Sequence, residues 1–161
     1  MFLRSLFKCN IILILMLFII FIGSPINDLA AQSVAARKSN PALGPTDFLS
    51  AALNVVDSVD RYEMGDVWDR SSPIMKASVP RDRFVSNTAQ KRASLGAVSS
   101  RNWISIGRIV VVDNKSPLPP GQYISVKLVT NGSSGVAMEE IISFHLDVDG
   151  QWKLAGYTII V

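Results

Sequence analysis

The chain has 161 residues, a formal net charge of +3 and a single cysteine, with 48% of its residues hydrophobic. That length suits one domain with a real core and hardly two, and a charge so near balance forces no attraction to nucleic acid or to an anionic membrane. The one thiol, Cys9, falls in a segment expected to be removed, so neither a disulfide framework nor a cysteine-ligated metal site is available and the fold must hold by packing.

The N-terminus reads as an address. Arg4 and Lys8 precede an unbroken apolar run from Ile11 to Ile22, which Gly23, Ser24 and Pro25 end. Leu29-Ala30-Ala31 supplies small residues at a cleavage point that would leave Gln32 first. This predicts a secretory signal peptide over residues 1–31 and an exported protein, periplasmic or secreted. The alternative is an N-terminal membrane anchor, although the run from Ile11 to Ile22 is short against the roughly 20 residues a span needs. Cys9 lies before the apolar run and follows Lys8, which does not suit lipoprotein processing.

Residues 32–45 are polar, small and without periodicity, and are expected to form a flexible leader to a single domain over 46–161. Thr46 is placed to cap a first helix, with Asp47 favourable to its dipole. Phe48, Ala52, Val55 and Val59 recur at helical spacing, and Leu49 and Val56 widen the stripe. A second helix is expected from about Asp66 to Lys76, with Trp68 flanking its apolar side. Ser78 would cap a third, tolerating Pro80 in its first turn and carrying Phe84, Val85, Thr88, Ala89 and Arg92 until Leu95-Gly96.

From Trp103 the texture turns β-branched through Val112, with Gly107 and Arg108 breaking parity as a bulge or change of face would. Pro117, Pro119, Pro120 and Gly121 close that strand. Gln122 to Asn131 forms a second, with Ile124, Val126 and Leu128 inward, and Asn131-Gly132-Ser133-Ser134-Gly135 turns into a third. In that third strand Ile142, Phe144 and Leu146 line a dry face while Ser143, His145 and Asp147 line a wet one. Asp147 can cap the following turn, and Gly150 can take a positive φ. A three-residue loop then sets Leu146 against Trp152, Phe144 against Leu154 and Ile142 against Gly156. Helices followed by four consecutive strands predict an α+β fold, about three N-terminal helices packed on one face of a four-stranded antiparallel sheet.

Several stretches carry a family resemblance: Val56-Asp57 with Tyr62 and Trp68, Arg92 through Leu95-Gly96 to Arg101-Asn102-Trp103, Glu139-Glu140, and Asp149-Gly150-Gln151-Trp152 to Gly156-Tyr157. Over roughly Asp47 to Val161 the chain resembles domain-of-unknown-function family 4019, small exported bacterial proteins. The layout also resembles the cystatin-like and nuclear-transport-factor-like cone, in which helices wrap a curved sheet. The resemblance implies a compartment and an architecture, and transfers no catalytic residue.

Three residues are candidate ligand contacts. Arg92 shares the apolar side of its helix, and a buried guanidinium wants a carboxylate, for which Asp57, Asp60 and Glu63 are the natural partners. Arg101 lies across the same helix–strand junction. The two either fix how the third helix docks or line a site for an anionic ligand. His145, the only histidine, is expected to be a solvated strand residue opposite Lys153; the functional alternative makes it a base held by Asp147. Its replacement by alanine is accordingly expected to leave stability unchanged. One histidine is too few for a metal site, and Asp147-Val148-Asp149-Gly150-Gln151 departs from a calcium loop. No Gly-rich phosphate loop or nucleophile elbow is present, and neither a cofactor, a metal nor nucleic acid is expected. The reading is a non-catalytic envelope module that binds a protein or small ligand; the alternative is a small cone-type enzyme acting on an anionic molecule with His145 as base.

Overall fold

The structure, a computed structural model, describes residues 43–113 and 115–160. The expected signal segment and all but the end of the expected leader lie outside these residues. Helix α1 spans Pro45–Asp60, α2 Met64–Asp69, α3 Pro73–Ser78 and α4 Arg81–Ala93. Strands β1 (Val98–Val111), β2 (Gly121–Gly132), β3 (Ala137–Leu146) and β4 (Trp152–Ile160) follow as one antiparallel meander in the order β1-β2-β3-β4. The helices cover one face of the sheet, as the α+β reading expects.

Helix α1 begins inside the stretch read as leader. Its N-cap is Gly44, with Pro45 at the first helical position, so Thr46 does not cap it. The Asp47 carboxylate instead reaches back to accept the Gly44 N–H at 2.7 Å. Phe48, Ala52, Val56 and Val59 make the buried stripe, Val56 taking the place expected of Val55.

The expected second helix is two. Proline disfavours helical backbone in the residue before it, so the chain breaks at Ser72-Pro73. Ser72 then caps α3 by accepting the Met75 N–H at 3.3 Å. Its own N–H reaches the Leu154 carbonyl of β4 at 2.8 Å, pinning the break to the sheet. Ser78 belongs to the end of α3, where its hydroxyl bonds the Ile74 carbonyl; the cap of α4 is Pro80.

Ile124, Val126 and Leu128 of β2, Ile142 and Phe144 of β3, and Leu154 of β4 form the dry face and meet Phe48, Ala52, Val56, Val59, Met64, Val67, Met75 and Phe84 from the helices. A smaller cluster, Leu95, Met138 and Ile159, closes one end. Gly132 is indispensable there: a Cβ on it would stand 1.8 Å from the Leu95 carbonyl oxygen.

Strand β1 starts earlier than expected, at Val98. Its irregularities fall between Val98 and Ser100 and between Trp103 and Ser105, while Gly107 and Arg108 pair regularly. Trp103 is 61% exposed. In the last hairpin Leu146 pairs with Trp152 and Phe144 with Leu154, as the three-residue loop requires. Beyond them a shift sets Ser143 against Gly156 and Ile142 against Tyr157, because Ala155 enters as an extra residue. Gly150 has φ +75. The side chain supporting this turn is Asp149, which accepts the Gln151 N–H at 3.0 Å, and not Asp147.

Candidate functional site

Four elements bring charge to one end of the helix–sheet interface, β3 contributing Glu140. The last turn of α1 carries Asp57 and Asp60, the last turn of α4 carries Arg92, and β1 carries Arg101 on the face turned to the helices. Asp60 is the hub. Its Oδ1 accepts from Arg92 Nε at 2.6 Å and from Arg101 Nη2 at 3.3 Å, and its Oδ2 accepts from Arg101 Nη1 at 3.0 Å. Arg101 turns Nε to Thr130 Oγ1 at 3.0 Å and Glu140 Oε1 at 3.1 Å. Glu140 also accepts hydrogen bonds from the Thr130 and Tyr157 hydroxyls. Arg92 Nη1 donates to the Gly96 carbonyl at 2.7 Å, so it also ties α4 to the turn that follows it. Asp57 lies on the open side, 3.7 Å from Arg101 Nη1.

Arg92, Thr130 and Glu140 are all buried. Two guanidinium groups and two carboxylates thus balance in a site water scarcely enters, and each charge has a partner. Burial opposes the Arg101 charge, but the hydrogen bonds to Asp60 and the charges of Glu140 and Asp60 outweigh it and hold its pKa above the ordinary value. Tyr157 is pushed far above a phenol's usual range, first by burial and then by the negative charge of Glu140 beside it. It is therefore a hydrogen-bond donor and no base.

Of the three candidate residues the structure brings Arg92 and Arg101 together through Asp60. His145 is elsewhere. Glu140 and His145 are an odd number of residues apart along an unbroken β2–β3 ladder, so they project from opposite faces of the sheet. The histidine does pair across to Lys153, but it is not solvated: it is 8% exposed. The reason is the start of β2, where Gly121 and Tyr123, the cross-strand partner of His145, lie against the ring. Tyr123 donates its hydroxyl to the Pro119 carbonyl at 2.8 Å, and its ring lies 4.8 Å from the imidazole. Gly121 presses on the ring so closely that a Cβ there would stand 2.3 Å from His145 Nε2.

The Nδ1 of His145 meets Asp147 Oδ1 at 2.8 Å, and Lys153 Nζ approaches Asp147 Oδ2 at 3.5 Å. Among the described residues His145 Nε2 has no hydrogen-bond partner. Alternation gives the face of His145 but not this burial, because that depends on which β2 residues the register sets beside it, Tyr123 and Gly121.

Glu140, Thr130 and Tyr157 were missed as partners, and for the first two a signal existed. Glu140 shares parity with Ile142, Phe144 and Leu146, and Thr130 shares it with Ile124, Val126 and Leu128. A carboxylate on a dry face announces a buried cation. Tyr157 gave no such sign, because the Ala155 irregularity shifts its register.

Two clefts open beside this scaffold. One, of about 530 Å³, lies between α3, α4 and β4; its walls include Met75, Val79, Phe84, Ala155, Tyr157 and Ile159, with Asn87, Gln90 and Lys91 at the rim. The other, of about 610 Å³, lies between α1, α2 and the last hairpin and is rich in charge, including Asp57, Arg61, Glu63, Asp66, Arg70 and Lys153. Among the described residues no group of histidine, cysteine or carboxylate side chains is placed to hold a metal ion. No helix among them is long and apolar enough to cross a membrane.

The profile of the family described as "Protein of unknown function (DUF4019)" matches residues 51–157. No curated protein matches the chain.

Proposed function

Because the chain belongs to the DUF4019 family of proteins of unknown function, its role must come from its own geometry. We propose that it is an exported, non-catalytic binding module of the cell envelope, which holds a small amphipathic molecule in the cleft between α3, α4 and β4. One observation carries this reading. The strongest charges are paired among themselves inside the fold, while the open cleft is walled by apolar side chains and rimmed by Asn87, Gln90 and Lys91. Small-ligand sites have this composition, apolar walls with a few polar groups to set orientation.

Export rests on the positive, apolar and small-residue succession over residues 1–31. Mass spectrometry of the protein from the envelope fraction should find a chain beginning at Gln32; a retained N-terminus would favour the anchored alternative. For binding, an apolar fluorescent probe should be taken up by the native protein. Asn87→Trp, at an exposed position on the rim, should block uptake without moving the unfolding midpoint. Equal uptake by the variant, or none by the parent, defeats the cleft assignment.

A second reading draws on His145, whose Nδ1 is held by Asp147 while Nε2 has no hydrogen-bond partner among the described residues. An imidazole so arranged is oriented as a general base. It would act only if Gly121 and Tyr123 moved off the ring, and Arg92 and Arg101 could not share its substrate from the other face. Substitution by glutamine separates the two readings: His145→Gln should leave probe uptake intact.

A further inference from the structure

The two edges of the sheet are treated differently. At β4 the helices close the edge: the Ser72 N–H donates to the Leu154 carbonyl at 2.8 Å and Lys91 Nζ to the Ile159 carbonyl at 2.7 Å. At β1, among the described residues, no backbone group is bonded outside the ladder to β2. This strand is 14 residues long. It carries Trp103, Ile104, Ile109 and Val110 exposed, with Val112 just beyond it 85% exposed. Folded proteins blunt their free edges because an open row of N–H and C=O groups is a template for another strand. Here one edge is blunted and, among the described residues, the other is open and apolar.

We propose that β1 is a self-association edge, on which a second copy of this chain adds its own β1 antiparallel about a two-fold axis at Gly107. This goes beyond the ligand-binding reading and is independent of it.

Gly107 is the first argument. A glycine inside a strand costs about 0.5–1 kcal/mol relative to alanine, yet a Cβ at this position would meet nothing within 4 Å. Packing within the chain does not ask for it. At a two-fold centre the residue faces its own copy, and glycine keeps two opposed side chains from meeting there.

Register is the second. Pairing about Gly107 sets Ser105 opposite Ile109 and Ile106 opposite Arg108. Past the irregularity at Ile104, Trp103 then faces Val110. In each pair both residues lie on the same face of the sheet, as antiparallel pairing requires.

Charge is the third. Arg108 has no carboxylate partner among the described residues and is bonded to Gln122. In this register it lies diagonal to Trp103 of the second copy, within reach of a cation–aromatic contact made twice by symmetry. The five exposed apolar side chains offer on the order of 500 Å² per copy, most of the ~800 Å² a standard interface takes from each partner. The unpaired backbone edge supplies the rest.

The test uses the exported protein purified from the envelope fraction, in a Cys9→Ser background. Light scattering should give twice the chain mass, and Ile109→Glu should bring it to one chain mass with the circular dichroism of a folded chain and a midpoint that no longer rises with protein concentration. Gly107→Cys should form a disulfide-linked dimer on air oxidation, since opposed residues place their Cα atoms about 4.5–5.5 Å apart. Val148→Cys, in the exposed last turn, should not. A single-chain mass at every concentration reached overturns the proposal. So does a dimer indifferent to Ile109→Glu, or a Gly107→Cys crosslink formed to another protein in place of a second copy.

Discussion

At the scale of single residues, the fold is decided by how its buried charges are matched. Glu140 is 2% exposed and holds three donors: Arg101 Nε and the hydroxyls of Thr130 and Tyr157. Removing Arg101 leaves that carboxylate buried without a cation, which costs about 3–5 kcal/mol, whereas replacing both members by apolar groups costs far less. Denaturant unfolding should therefore show Arg101→Leu more destabilised than the double variant Arg101→Leu/Glu140→Leu. Simple additivity of the two losses would mean that the pair is not coupled. The same logic revises the expectation for His145→Ala. The imidazole is enclosed beneath Gly121 and bonded to Asp147, so its removal strands a buried carboxylate and is expected to cost about 1–3 kcal/mol. An unchanged midpoint would show that the ring is not enclosed.

At the scale of elements, the ends of the helices are more informative than their middles. Helix α1 stops on paired bonds, Tyr62 N–H to the Val59 carbonyl at 3.0 Å and Glu63 N–H to the Ser58 carbonyl at 2.9 Å. That motif calls for a left-handed residue at Tyr62, which has φ 60. Glycine takes this conformation freely, while an L side chain bears about 1–2 kcal/mol of strain. Tyr62→Gly should accordingly raise the unfolding free energy by roughly 1 kcal/mol, its exposed ring losing little packing. A fall in stability would reveal a contact of the ring that outweighs the strain. Apolar periodicity made α1, α4 and the strands legible, because a buried stripe repeats. The break at Ser72-Pro73 was harder to read, since the residues on both sides keep helical spacing while the cap and the Leu154 bond divide them.

At the scale of the whole molecule, two tyrosines set an alkaline limit. Burial raises both Tyr123 and Tyr157, the latter further through Glu140. In the unfolded chain a phenol ionises near its ordinary value of 10.0. A pKa raised by folding contributes stability that is whole below the unfolded value and is lost as pH climbs toward the folded one. Stability should thus fall above about pH 10 as the unfolded state ionises first. Tyr157→Phe should lower the plateau by about 1–3 kcal/mol, for the lost bond to a charged acceptor, and make the decline shallower. Ultraviolet absorbance of phenolate, followed together with circular dichroism, reads both. An equally steep decline in the variant would remove Tyr157 from the account.

The order of the strands, the α+β class and the dry faces of β2 and β3 could be read from local chemistry, because alternation, turn residues and short connections act between neighbours in the chain. Arg92 could be read as a buried cation for the same reason: it sits on an apolar stripe. Only the tertiary structure chose Asp60 among its three possible partners and joined it to Arg101, Glu140 and Tyr157. Only there did Gly121 and Tyr123 of β2 close over His145, and only there was one sheet edge bonded by the helices while the other, among the described residues, was not. Those outcomes depend on which distant segments meet, and periodicity along a strand or helix reports the direction of a side chain without saying what arrives to cover it.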